Sequence, residues 1–80
     1  MKLKKSIAIS ENGFVFNPEI GTSFTTNSLG VAVLKQLKNL TTKEEIRASI
    51  LKSYEVDGVT CEKDLDDFLR MLDQYNLIED

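Results

Sequence analysis

The sequence predicts an α+β fold in which a three-stranded antiparallel sheet precedes three helices, a βββααα order. Three observations carry this reading. Apolar and small or polar residues alternate on either side of Asn12-Gly13, the apolar period changes from two to helical after Asn27, and Thr42-Lys43-Glu44-Glu45 has the form of a helix capping box. At 80 residues, 41% apolar and 29% charged, the chain reads as a single domain over residues 1–80 with no internal repeat.

The first two strands, residues 6–10 and 14–17, flank Asn12-Gly13, a pair suited to positive φ at both positions of a two-residue turn. Such a turn sets Ile9 opposite Phe16 and Ser10 opposite Val15. Ile7, Ile9, Phe14 and Phe16 then share one face, the expected core face. A second reversal is marked by Asn17-Pro18-Glu19-Ile20-Gly21-Thr22, with Pro and Gly where a turn wants them. The third strand covers residues 23–27. Phe24 joins the core face if it lies opposite Phe16, which calls for an odd loop of three or five residues.

Asn27 or Ser28 caps the first helix, in which Leu29, Val33, Leu34 and Leu37 follow helical spacing up to Asn39 or Leu40. The capping box opens a second helix with Ile46, Ile50 and Tyr54 turned inward. Asp57-Gly58 breaks it, and Thr60 caps a third, longer helix with Cys61, Leu65, Phe68, Leu69 and Leu72 as its apolar stripe. Glu62, Asp64, Asp66 and Asp67 fall in its first two turns, where the macrodipole favours carboxylates. Leu77-Ile78 finish the chain.

The net charge of −3 is unevenly distributed. Residues 1–54 hold eight basic and four acidic groups, a balance of +4, whereas residues 55–80 hold nine acidic groups against Lys63 and Arg70, a balance of −7. The third helix is thus strongly acidic, which disfavours it as a reader of nucleic acid. The second helix offers Lys43, Arg47 and Lys52, but Glu44 and Glu45 stand beside them.

Enzyme chemistry has little to work with. The chain contains no His, the usual general base and metal ligand, so Cys61 has no imidazole to activate it and reads as a small core residue. Asp64, Asp66 and Asp67 lack the central Gly and closing Glu of a calcium loop. No Gly-rich phosphate loop precedes a helix, and neither catalytic residue, cofactor nor metal is expected. A lone Cys allows no internal disulfide, and the apolar stretches are too short and broken for a signal peptide or membrane span, so the cytoplasm is the expected location.

Recognition of another chain remains. In a three-stranded meander the outer strands each leave an open edge. Lys2, Lys4 and Lys5 precede the first strand and would blunt its edge, but residues 22–28 carry no charge and no Pro. That third-strand edge is either a short solvated margin, or an acceptor for an added extended peptide, or a point of self-association into a homodimer. On the third helix, Asp64, Phe68, Met71 and Tyr75 follow helical spacing beside the core stripe, where Met and Tyr serve equally as adaptable contacts or as partly buried packing.

The order of these features resembles the PqqD-like family, named for pyrroloquinoline quinone biosynthesis protein D. The resemblance rests on Asn17-Pro18, on Asn27-Ser28-Leu29-Gly30 leading into Val33-Leu34, and on Thr42-Lys43-Glu44-Glu45-Ile46. Tyr54-Glu55-Val56-Asp57 and the run from Asp64 through Phe68-Leu69 to Asn76-Leu77-Ile78 complete it. It implies a winged helix-turn-helix-like domain that recognises the leader segment of a ribosomally made precursor peptide and delivers it to a radical S-adenosylmethionine (SAM) or other modifying enzyme. The leader would add as a strand to the third strand, at Ser23, Phe24, Thr25 and Thr26. Its other wall would be the third helix, at Asp64, Leu65, Phe68, Leu69, Met71 and Leu72, whose acidity would favour a leader bearing Lys or Arg. Thr26 stands where many relatives carry Leu, and Leu34 where they often carry Trp.

Overall fold

The computed structural model describes residues 1–79; Asp80, counted above among the acidic groups, lies outside them. The elements run β1 (Lys2–Leu3), β2 (Ala8–Ile9), β3 (Phe14–Asn17), β4 (Thr22–Thr25), α1 (Ser28–Leu37), α2 (Lys43–Ser53), α3 (Gly58–Gln74) and β5 (Ile78–Glu79). Three helices follow a three-stranded antiparallel sheet of order β2-β3-β4, and a second small sheet pairs β1 with β5. That second sheet was not anticipated. Lys2 lies opposite Glu79 and Leu3 opposite Ile78, and the Lys4 N–H donates to the Leu77 carbonyl at 2.9 Å.

Both hairpins differ from expectation by one residue. In the first, Ile9 faces Val15 and Ala8 faces Phe16, leaving a three-residue loop, Glu11 to Gly13. Only Gly13 takes positive φ, at +88°, and its N–H donates to the Ser10 carbonyl at 3.0 Å. This is the turn with a left-handed last residue, an alternative to the two-residue form that Asn-Gly also serves. The shift reverses β3: Val15 and Asn17 point into the core, while Phe14 is 47% exposed and Phe16 stays on the outer face. Ile7 is buried and Ile9 packs against the core as expected, but Phe14 and Phe16 do not join them.

The second hairpin has an even loop of four residues, Pro18 to Gly21, with Asn17 opposite Thr22 and Phe16 opposite Ser23. Gly21 closes it at φ +72°, its N–H bonded to the Asn17 carbonyl at 2.9 Å, while Asn17 Oδ1 accepts from the Glu19 N–H at 3.1 Å. The side-chain oxygen of Asn17, a residue only 3% exposed, is thereby satisfied. Phe24 lies opposite Val15 rather than Phe16. The two one-residue shifts cancel, so Phe24 still faces inward.

The helices cover that inner face. Asn27 caps α1, its Oδ1 accepting from the Gly30 N–H at 2.9 Å, and the helix stops at Leu37, two residues before the earliest expected end. The capping box of α2 forms as read: Thr42 Oγ1 accepts from the Glu45 N–H at 3.2 Å and Glu45 Oε1 from the Thr42 N–H at 3.1 Å. Tyr54, expected inside, is the C-cap of α2 and 38% exposed. Asp57, not Thr60, caps α3, accepting the Thr60 N–H at 3.1 Å, so α3 begins at Gly58 and its first turn has no acidic residue. The macrodipole, felt within the first turn, therefore does not account for the acidic cluster. The core joins Val15 to Leu34 and Leu37 of α1, Ile46 and Ile50 of α2, and Cys61, Leu65 and Leu72 of α3, with Leu3 and Leu77 closing one side. Among the described residues no helix is long and apolar enough to cross a membrane.

Candidate functional site

Among the described residues β4 is paired on one side only. The Thr26 N–H donates to the Gly13 carbonyl at 2.8 Å, which sets the phase of the ladder. Because backbone groups alternate between the two edges of an antiparallel strand, Phe24 and Thr26 turn theirs towards β3, while Ser23 and Thr25 turn N–H and C=O outward. These groups repeat at about 6.7 Å, the rise of two strand residues, and are the elements to which an extended chain can bond.

The strand is held at both ends. Phe24 meets Tyr75 edge-to-face, with ring centroids 5.8 Å apart and planes at 76°, tying β4 to the C-terminal end of α3. Such a pair contributes about 1 kcal/mol beyond area burial. At the other end Thr26 lies over Gly30, where any Cβ would overlap the Thr26 hydroxyl. Glycine at this buried first turn of α1 is what lets the end of β4 come so close.

Between the end of β4 and α3 lies a groove of about 430 Å³. Thr26, Asn27, Leu29, Gly30 and Val33 form one wall, Thr60, Cys61, Asp64, Leu65, Asp67, Phe68 and Met71 the other, and Ile50 and Val56 contribute from α2 and the α2–α3 link. Of the residues singled out from the sequence, Thr26, Asp64, Leu65, Phe68 and Met71 line it together. Ser23, Phe24 and Thr25 lie on the adjoining strand. Leu69 is half-buried against the core, and Leu72 is wholly buried beneath α3, out of reach of any groove occupant. Leu29, Val33 and Val56 were not anticipated at the site. Leu29 and Val33 carry the same helical-period signal as core residues; Leu29 is half-buried at the groove edge, while Val33 is buried and belongs to the core as well as to the groove wall.

Charge is arranged by tertiary contact. Lys43 of α2 reaches across to α3, pairing with Asp66 and, at 3.7 Å, with Glu62. The Asp66 hydrogen bond raises the Lys43 ammonium above its ordinary value. Arg47, also on α2, lies with its guanidinium beside Gly58, and its Nε is buried without a partner. Lys43 and Arg47 are thus turned to α3, while Lys52 is exposed. On α3 itself Arg70 Nη1 donates to Asp67 Oδ1 at 3.2 Å. Asp64 has no ion-pair partner among the described residues. Among those residues no group of three or more His, Cys, Asp or Glu is placed to hold a metal ion. The groove is mostly apolar and lies beside a strand edge whose backbone groups at Ser23 and Thr25 face outward.

The family model described as coenzyme PQQ synthesis protein D (PqqD) matches residues 12–78. No curated protein matches the sequence. Among solved structures, TbiB1 in complex with the TbiA(beta) leader peptide is 32% identical, with a TM-score of 0.84 over 99% of this chain and 95% of that one. Lasso peptide synthetase B1 complexed with the leader peptide shares the fold, with a TM-score of 0.77 at 14% identity, over 95% of this chain and 93% of that one.

Proposed function

The chain belongs to the PqqD family, and from that premise we propose that it is a non-catalytic adaptor for the leader segment of a ribosomally made precursor peptide. The observation that carries this is the coincidence of the outward backbone groups of Ser23 and Thr25 with the apolar groove that begins at Thr26. The leader adds as a strand to β4, gaining affinity from main-chain hydrogen bonds, and lays alternate side chains against α3. Ser23, Phe24, Thr25 and Thr26 form the strand side of this site. Asp64, Leu65, Phe68 and Met71 form the helix side, with Leu69 and Leu72 supporting it from below. TbiB1, at 32% identity, supports the choice of occupant, since that protein was solved with a leader peptide.

Within this reading residues 1–80 act as one winged helix-turn-helix-like domain in the cytoplasm. It presents the bound precursor to a separate modifying enzyme, of the radical SAM type that the family resemblance implies. Nucleic acid is not the partner of this surface, because Lys43 is engaged within the chain and the groove wall is acidic.

The test is an NMR titration with the synthetic leader of a precursor encoded beside its gene. Binding should shift the amides of residues 23–26 and 64–71 and protect the Ser23 and Thr25 N–H groups from exchange. Unchanged spectra at millimolar peptide, or shifts confined to other surfaces, would sink the reading.

A further inference from the structure

Taking the groove as a peptide site, we propose that Asp64 selects a Lys or Arg side chain in the bound segment, two residues from an apolar side chain seated against Phe68 and Met71. The spacing follows from the geometry. Phe24 of β4 lies beside Tyr75 at the C-terminal end of α3, and Thr26, just past β4, shares the groove with Asp64 nearer the start of that helix, so a strand added to β4 runs along α3. Asp64 and Phe68 are one helical turn apart, about 6 Å along the axis. Side chains on one face of a strand repeat every two residues, at about 6.7 Å. One bound segment therefore places an apolar side chain at Phe68 and its next same-face side chain at Asp64.

The sign follows from the charge arrangement. Asp66 and Glu62 share Lys43 as an ion-pair partner, and Asp67, though it lines the groove, accepts from Arg70. Asp64 alone among these groove-side carboxylates lacks a cation among the described residues, and in the unbound protein water solvates it. A purely apolar segment would strip that water without replacing it, leaving a carboxylate desolvated and unpaired. A cationic side chain at that position converts the penalty into an ion pair partly screened from solvent.

A phage-displayed library of random 12-residue peptides, selected on the wild-type protein and on the Asp64→Asn and Asp64→Lys variants, tests this. Asp64 is exposed, so both variants should retain the wild-type amide spectrum apart from local shifts. The wild type should enrich a large apolar residue with Lys or Arg two positions away. Asp64→Lys should keep the apolar residue and exchange its basic neighbour for Asp or Glu, and Asp64→Asn should lose the charge preference. By calorimetry, a wild-type consensus peptide should bind Asp64→Lys about tenfold more weakly. An apolar consensus without basic preference, or the same basic preference on Asp64→Lys, overturns the selectivity of Asp64 while leaving the groove reading intact. Failure to enrich any peptide, or enrichment of peptides whose binding ignores Thr25→Pro, removes the groove reading and this inference with it.

Discussion

β1 and β4 are each paired on one side only among the described residues, but they differ in length and in the charge that flanks them. β1 is a two-residue extended segment near a chain end, and it is closed by β5, by the Lys4–Leu77 hydrogen bond and by the burial of Leu3. β4 is a longer internal segment, anchored by Phe24, Gly13 and Gly30, and its outer edge has no strand partner among the described residues. An exposed edge invites unwanted pairing, and proteins usually cover or charge it. Here the lysines lie on and beside β1, whereas the longer edge strand β4 carries no charge. Rigid anchoring of an unguarded edge is what a template for an incoming strand requires, since a preorganised edge spares the ordering cost on binding.

The largest expected effect comes from loosening that anchoring. Gly13→Ala places a Cβ at φ +88° and into the Thr26 carbonyl, and should cost about 3 kcal/mol in urea unfolding. A loss below about 1 kcal/mol would mean that β4 is not pinned through Gly13. Next is a contrast within α3. Leu72→Ala, at a fully buried position, should cost about 3 kcal/mol, while Phe68→Ala, half-buried at the groove, should cost less stability but more leader affinity. Equal binding by the two variants would dissolve the division of α3 into core and groove sides.

Thr25→Pro should weaken leader binding about tenfold, roughly 1.4 kcal/mol, with the fold intact, because the N–H it removes points away from β3. Thr26→Pro is its counterpart, since it removes the bond to Gly13 and should lower the unfolding midpoint. The smallest effect is that of Lys43→Gln, which removes the exposed pair with Asp66. Lys43 binds its proton more tightly when folded, so its contribution is complete below 10.5 and is lost as pH rises past the elevated value. The small difference in urea midpoint between variant and wild type should therefore be the same at pH 7 and pH 9 and shrink by pH 11.

Local chemistry made most elements legible. Asn27, Thr42 and Glu45 cap as their side chains dictate, and the stripe from Cys61 to Leu72 follows the helical period. The hairpin positions were legible for the same reason, but their registers were not. Asn-Gly serves both a two-residue and a three-residue loop, and a change of one residue turns Phe14 out and Val15 in. The β4 edge was visible as an uncharged stretch; which of its N–H groups faces outward depended on that register.

By itself, then, the sequence determined the α+β order, the caps of the first two helices, the acidic third helix and the uncharged third strand of the meander, because each follows from interactions within a few residues. Only the tertiary structure decided that β1 pairs with β5, that Leu72 belongs to the core while Leu29 edges the groove, and that Asp64 stands apart from its paired neighbours. Those outcomes depend on contacts between residues far apart in the chain. Lys43 reaches Asp66 because α2 packs on α3, and no local pattern distinguishes Asp64 from Asp66.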